Sequence, residues 1–312
     1  MILTVTANVA IDRTYVIDRL EVGSVHKVTR AYAHTGGKGV NVSRCLHRLG
    51  AETLVTGIIG RDGLDEVTAE LNTSGLSSKL FAVDGAPRQT VTVTANDGST
   101  TAFDEPGPAL TATIWADFEQ HVTGLLAQAQ MVVIAGSLPP GTPEQALADL
   151  CWRAGDQQVP VILDARGAAM RAAQNQKPLV AKLNRSELAH TLGTEITSED
   201  DVIDAALALR ELGAQHVVVT LGEHGAIGVG DEVWTVRHPT VRGNPIGAGD
   251  AFSAALALAL TQQRPFEQAL SEGAAAALAS LNTPTAGALE PGDVLEALGR
   301  VETHLTRRAG ER

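Results

Sequence analysis

The chain has 312 residues, 44% of them apolar and 19% charged, and a formal net charge of 24 − 36 = −12. Such a composition excludes a disordered chain, and the length suits one well-cored α/β domain with a small appendage, or two modest domains. The acidity argues against nucleic acid as a partner and requires that any anionic substrate be met by a local cluster of basic residues.

In chain order, "MILTVTA" (1–7) is a β-branched run that reads as a buried strand. It has no basic n-region and is too short for a signal peptide. Residues 12–34 fit neither a buried strand nor a helix. Two glycines then lead into a helical pattern at 38–49, a strand at 52–60 and a helix at 64–74. Residues 78–104 alternate polar and apolar positions around an Asn-Asp-Gly turn at 96–98, a hairpin signal. Beyond them lie helices at 111–129 and 142–155, with strands at 131–137, 159–165 and 179–184. Helices at 185–192 and 198–212 precede a strand at 215–222, and helices at 248–262 and 265–281 follow. The polar tail 301–312 is expected to fray.

Strands alternating with helices predict a parallel sheet covered on both faces by right-handed crossovers. Segments 12–34 and 78–104 predict an antiparallel flap beside it. No charge-free run reaches the roughly 20 residues of a membrane helix, which predicts a soluble, cytoplasmic protein with no membrane partner. Cys45 and Cys151 lie in apolar, helical-looking sequence and read as buried thiols in a reducing compartment.

Four short stretches carry chemistry. In "GNPIGAGDAF" (243–252), Gly247, Ala248 and Gly249 precede Asp250 on the first turn of a helix. Backbone N–H groups there are expected to lack intrahelical partners and to form an anion hole at the positive end of the helix dipole. A carboxylate beside that hole suits a general base, although a plain N-terminal cap explains it equally well. In "GGKGVNVSRCLHRLG" (36–50), Gly36, Gly37, Lys38 and Asn41 again place backbone at a helix start, without P-loop spacing. In "KLNRSEL" (182–188), Asn184 and Glu187 have the spacing of a capping box or of oxygen ligands to a hydrated Mg²⁺. "VTLGEHGA" (219–226) offers a glycine-lined surface for a flat nucleoside, or an ordinary turn.

Together and in this order, these motifs resemble those of the PfkB carbohydrate kinases, over about residues 1 to 300. Within that family "TANVAID", "GSTTAFDEPGP" and "AGSLPPG" are most similar to the phosphosugar branch. The resemblance implies a ribokinase-like three-layer α/β/α sandwich with a small β-sheet lid, in one kinase domain 1–312 with lid segments about 12–34 and 78–104. It implies Asp250 as base, with the N–H groups of Gly247, Ala248 and Gly249 holding the transferring phosphoryl group. It implies that Asp12, Gly36, Gly37, Asn41 and Ser137 bind the sugar, and that Lys27, Lys38 and Arg88 supply cations for its phosphate. ATP is implied near Lys182, Asn184, Thr220, Gly222, Gly225 and Asn282, with Mg²⁺ held through water by Asn184 and Glu187.

Family members often bind K⁺ through backbone near the Gly-Ala-Gly-Asp loop, where Pro245 is a departure in this sequence. The acceptor implied is a ketohexose phosphate, most simply fructose 1-phosphate, with tagatose 6-phosphate, fructose 6-phosphate, an unphosphorylated sugar or nucleoside, and a non-catalytic sugar-phosphate sensor as alternatives. A homodimer through the lid is a further expectation.

Overall fold

The computed structural model describes residues 1–241, 243–283 and 285–308. The chain opens with β1 (Ile2–Thr6), then β2 (Ala10–Ile17), β3 (Arg30–Gly36), α1 (Lys38–Arg48), β4 (Thr53–Gly60), α2 (Leu64–Thr73) and β5 (Ser77–Val83). A hairpin of β6 (Arg88–Ala95) and β7 (Thr100–Asp104) leads to α3 (Ala112–Leu126), β8 (Met131–Ala135), α4 (Ala146–Asp156), β9 (Val161–Asp164) and α5 (Gly167–Gln174). The remainder runs β10 (Val180–Asn184), α6 (Arg185–Leu192), α7 (Glu199–Glu211), β11 (His216–Thr220), β12 (Ala226–Val229), β13 (Glu232–Arg237), α8 (Ala248–Thr261), α9 (Phe266–Ser280), α10 (Pro291–Leu298) and β14 (Glu302–Arg308).

Ten strands form one sheet in the order β14-β13-β12-β11-β10-β9-β8-β1-β4-β5. From β11 to β5 neighbouring strands are parallel, and β12, β13 and β14 add an antiparallel end. Successive residues of the central strands enter opposite cores. Leu3, Val5, Val132, Ile134, Val217 and Val219 pack on the side of α3 to α7, whereas Ile2, Met131, Val133 and Val218 pack with α1, α8 and α9. Burial on both faces is why these strands read as unbroken apolar runs. The alanine-rich sequences of α8 and α9 let those two helices lie close together, with Gly273 against the Phe252 ring.

The second sheet has four strands in the order β3-β2-β6-β7, with the Asn96-Asp97-Gly98 turn closing the β6–β7 hairpin as expected. Its composition differs from the expected flap in one respect. Residues 77–83 belong to the large sheet, where β5 is the parallel edge strand on β4, so the flap takes only β6 and β7 from the 78–104 segment. Strands 226–229, 232–237 and 302–308 and helices 167–174 and 291–298 were not expected. The tail pairs with β13 through residue 308 instead of fraying, and residues 309–312 lie outside the described part. Among the described residues no helix is long and apolar enough to cross a membrane.

Candidate active site

Parallel strands β1, β8, β9 and β10 end on the same edge, the side on which α/β sheets build their sites. β3 enters α1 through Gly37 alone, so α1 starts at this edge with Lys38 as its first residue. Gly36 has no side chain because the Asp12 carboxylate occupies the place, with Oδ2 only 1.9 Å from where a Cβ would sit. α8 starts here as well. Gly247 adopts φ +83°, and Ala286 lies 2.7 Å from its missing Cβ, so both conformation and space demand glycine.

At the end of β9 stands Asp164, which is 1% exposed. Lys38 Nζ donates to its Oδ1 at 2.7 Å and Lys182 Nζ to its Oδ2 at 2.6 Å, and Ser253 Oγ adds a contact at 3.3 Å. Burial alone would favour the neutral acid, but the two ammonium groups outweigh it and hold the carboxyl well below the usual range. Lys38 also reaches Glu187 Oε1 at 3.4 Å. Its ammonium is stabilised against burial by Asp164, Glu187 and Asp250, which raise its proton affinity.

Asp250 is buried too, at 6% exposure, but differently partnered. Asn41 Nδ2 donates to its Oδ2 at 2.9 Å. Desolvation pushes its pKa up to about 7, against the opposing pull of Lys38, and the neighbouring negative charge of Asp164 pushes the same way as burial. A buried carboxyl that titrates near neutrality is suited to accept a proton. The surrounding hole is smaller than expected. The Ala248 N–H donates to the Pro245 carbonyl at 3.2 Å and the Asp250 N–H to the Gly247 carbonyl at 3.0 Å. Among the described residues only the N–H groups of Gly247 and Gly249, of the four, are without a protein partner.

Two cavities flank this centre. One, of about 450 Å³, lies between the large sheet and the flap, and Gly37, Lys38, Arg88 and Ser137 of the predicted set line it together with Thr6 and Asn8. Its buried surroundings hold polar atoms with no partner among the described residues, namely Thr6 Oγ1, Asn8 Oδ1 and, beside Asp250, Asn41 Oδ1. Buried oxygens left unpaired are unfavourable alone and suit a ligand rich in hydroxyls. Arg88 is fixed by its Nε and Nη1, which donate to the carbonyls of Asn8 at 3.1 Å and Glu105 at 3.3 Å. Asp12 stands behind Gly36, where burial raises its pKa to about 6 despite Arg88 and hydrogen bonds from Thr90 and Gly37.

The other cavity, of about 350 Å³, is lined by Asn184, Thr220, Gly222 and Gly225, as expected, and by Ala248 and Gly249. Ala274, Ala277, Leu278 and Leu281 give it an apolar wall. Its shape and chemistry suit a purine: a narrow apolar slot with glycine backbone along one side.

Asp12, Gly36, Asn41, Gly247 and Asp250 stand around the cavities without lining either, and three further predicted residues lie away from them. Lys27 is exposed on the loop between β2 and β3 and lines neither cavity. Asn282 is exposed, one position past the last residue of the apolar wall. Lys182 is buried on Asp164, 3.5 Å from where a Gly249 Cβ would sit, so it underlies the start of α8 and does not face the nucleotide cavity. Thr6, Asn8 and Arg166 line the flap-side cavity outside the predicted set. Arg166 stands two positions beyond Asp164 in "LDARG". Its signal was available, because the strand reading at 159–165 placed it directly outside a strand end.

The α6 start separates the cavities, with Asn184 lining one and Glu187 the other. They form a capping box: Asn184 Oδ1 accepts from the Glu187 N–H at 2.9 Å, and Glu187 Oε2 accepts from the Asn184 N–H at 2.9 Å. The capping-box reading of this pair is the one the structure shows. Their oxygens are already engaged, and among the described residues no group of three or more His, Cys, Asp or Glu can hold a metal ion. A hydrated Mg²⁺ carried by nucleotide phosphates and contacted through water fits this donor set, whereas a direct protein cage does not.

A buried carboxyl at a glycine-led helix start, beside a slot with an apolar wall and glycine backbone, fits a kinase with a nucleotide donor. Residues 5–291 match the model of the pfkB family carbohydrate kinases, and the chain belongs to that family. It is 31% identical over 303 residues to 1-phosphofructokinase of Escherichia coli strain K12, covering 96% of this chain and 97% of that protein. Phosphofructokinase-2 of Escherichia coli in complex with fructose-6-phosphate superposes with a TM-score of 0.87 at 28% identity, over 96% of this chain and 98% of that one. The same enzyme is also known in complex with potassium, with a TM-score of 0.89, and in a tetrameric inhibited form, with a TM-score of 0.87, both at 27% identity and the same coverage. The fold is the ribokinase-like α/β/α sandwich with a small β-sheet lid. Family membership implies ATP as phosphoryl donor and, typically, Mg²⁺.

Proposed function

We propose that this kinase transfers the γ-phosphate of ATP to a hydroxyl of a ketohexose phosphate, most simply converting fructose 1-phosphate to fructose 1,6-bisphosphate in the cytoplasm. The observation that carries the reading is Asp250, a buried carboxylate held by Asn41 at the glycine-led start of α8, where Ala248 and Gly249 line the nucleotide-side cavity. The reading takes 1–312 as one kinase unit and the four-stranded sheet as its lid.

In this mechanism the sugar lies in the flap-side cavity, with its hydroxyls meeting the unpaired oxygens of Thr6, Asn8 and Asn41. Asp250 takes the proton of the attacking hydroxyl. That oxygen forms the new bond to the γ-phosphorus as the bond to the ADP oxygen breaks. The free N–H groups of Gly247 and Gly249 hold the charge on the phosphoryl oxygens. Mg²⁺, held through water at Asn184 and Glu187, would neutralise the phosphates. Lys38 and Lys182 keep Asp164 ionised and fix the floor on which these groups stand. K⁺ enters the reading as an activator, to be tested by turnover in KCl against tetramethylammonium chloride. A lid-to-lid homodimer belongs to it as well, motivated by Val22 and Val25, which are fully exposed on the β2–β3 loop.

The fructose 1-phosphate choice is supported by the 31% identity to a 1-phosphofructokinase, and fructose 6-phosphate by the fructose-6-phosphate complex of the structural neighbour. An ADP-release assay with Mg-ATP and fructose 1-phosphate, fructose 6-phosphate, tagatose 6-phosphate, fructose and ribose decides between them. Turnover confined to unphosphorylated sugars would end the phosphosugar reading, and silence on all five would favour a sensor.

A further inference from the structure

Resting on that reading, we infer that Arg166, together with Arg88, grips the phosphate already present on the acceptor sugar, making Arg166 a specificity-determining residue. Both guanidinium groups line the flap-side cavity. Among the described residues neither has a carboxylate within ion-pair distance. The other charges facing that space are already matched: Asp164 is shared by Lys38 and Lys182, and Glu187 contacts Lys38. Asp104, at the lid edge, is the remaining carboxylate of the lining.

Two guanidiniums without an ion-pair partner line one cavity of a protein of net charge −12, and among the described residues only Arg88 has a carboxyl, that of Asp12, within electrostatic reach. A phosphate dianion between them supplies the missing counter-charge and matches their donor geometry. Arg88 has two of its nitrogens tied to backbone carbonyls, which orients it in advance. No hydrogen bond or ion pair of the Arg166 side chain is found among the described residues, and its backbone at the N-cap of α5 is extended. It is free to turn onto an incoming phosphate. Arg166 is exposed, as Lys27 is, but Arg166 lines the flap-side cavity, whereas Lys27, on the lid loop, lines neither cavity. The second cation therefore comes from the turn after β9, in the same chain and next to the catalytic floor.

The test is steady-state kinetics of wild type, Arg166→Ala, Arg166→Lys and Lys27→Ala with Mg-ATP and the phosphosugar that wild type uses best. Arg166→Ala should raise KM for the phosphosugar on the order of 10- to 100-fold, the range of one hydrogen bond between charged groups, with KM for ATP unchanged. Arg166→Lys should recover part of the loss, and Lys27→Ala should leave KM within about twofold, as a solvated surface charge would. An unchanged phosphosugar KM in Arg166→Ala, or equal effects on sugar and ATP, overturns the inference while leaving the kinase reading intact. Wild type that phosphorylates no sugar phosphate overturns both.

Discussion

The end of β9 and the start of α8 each bury an aspartate within the same few residues of the sheet edge, and the two acids behave in opposite ways. Asp164 meets two ammonium groups and stays ionised. Asp250 meets one amide and more distant charges, and its pKa rises to about 7. Both are buried, Asp164 at 1% and Asp250 at 6% exposure, so the partners decide which carboxylate is a fixed counter-ion and which can exchange a proton.

The largest expected effect comes from removing the exchangeable acid. Asp250→Asn should lower kcat by about 10²- to 10⁴-fold, the usual contribution of a general base, while ATP affinity measured by calorimetry is retained. Near-normal turnover would take Asp250 out of the base role. Next comes the fixed acid. Asp164→Asn leaves Lys182, 3% exposed, without its counter-charge, and should destabilise the fold by about 3–5 kcal/mol in denaturant unfolding. A loss below about 1 kcal/mol would show that water reaches that lysine.

The two acids should also part company with pH. If Asp250 is the base, kcat/KM should fall about tenfold per unit as pH drops below about 7, because the raised pKa leaves it protonated there. Its effect on stability has the other sign. A raised folded-state pKa favours folding below the unfolded value of 3.8, and that contribution is lost as pH rises toward about 7. Asp250→Asn should therefore be more stable than wild type at pH 8. Asp164, with its pKa depressed, contributes stability above 3.8 and loses it only as pH falls lower still. Thermal unfolding of wild type and the two variants across pH 3 to 9 would expose identical profiles if the contrast were false.

The smallest effect sharpens the comparison. Asn41→Ala removes a hydrogen bond to the ionised form of Asp250, so the acidic limb of the rate profile should move up by about one pH unit. A limb that stays in place would assign it to another group.

The site was partly legible in the sequence because its backbone devices are local. Gly36-Gly37, Gly247-Ala248-Gly249 and the Asn184/Glu187 box each declare themselves within a few residues. The alternating apolar runs likewise declared the parallel sheet. What failed was pairing across distance. Lys38 and Asp164 are 126 positions apart, and nothing near either one announces the bond that commits the Lys38 charge to the floor of the site. Arg166 was half legible: the strand reading at 159–165 placed it just outside a strand end, but which cavity that end opens into is set by residues far away in the chain. β5 was assigned to the flap because its edge position leaves it half exposed, so it alternates like a flap strand although it pairs in parallel with β4. The strand 302–308 has too little apolar content to stand out, and its order comes from its ladder with β13 and from contacts to Ser271 of α9 and Asp204 of α7.

One junction has a consequence for timing. Gly37 alone stands between the last residue of the lid strand β3 and the first residue of α1, and α1 carries both Lys38 and Asn41. With no slack there, a lid that swings outward must drag the start of α1 with it, stretching the contacts to Asp164 and Asp250 together. If Asp250 is the base, closure and its readiness then become a single event, a mechanical interlock that would keep water from ATP until a sugar draws the lid down. Inserting two glycines after Gly37 should uncouple them and raise sugar-independent ATP hydrolysis relative to sugar phosphorylation; an unchanged ratio would mean that the lid and the base keep separate clocks.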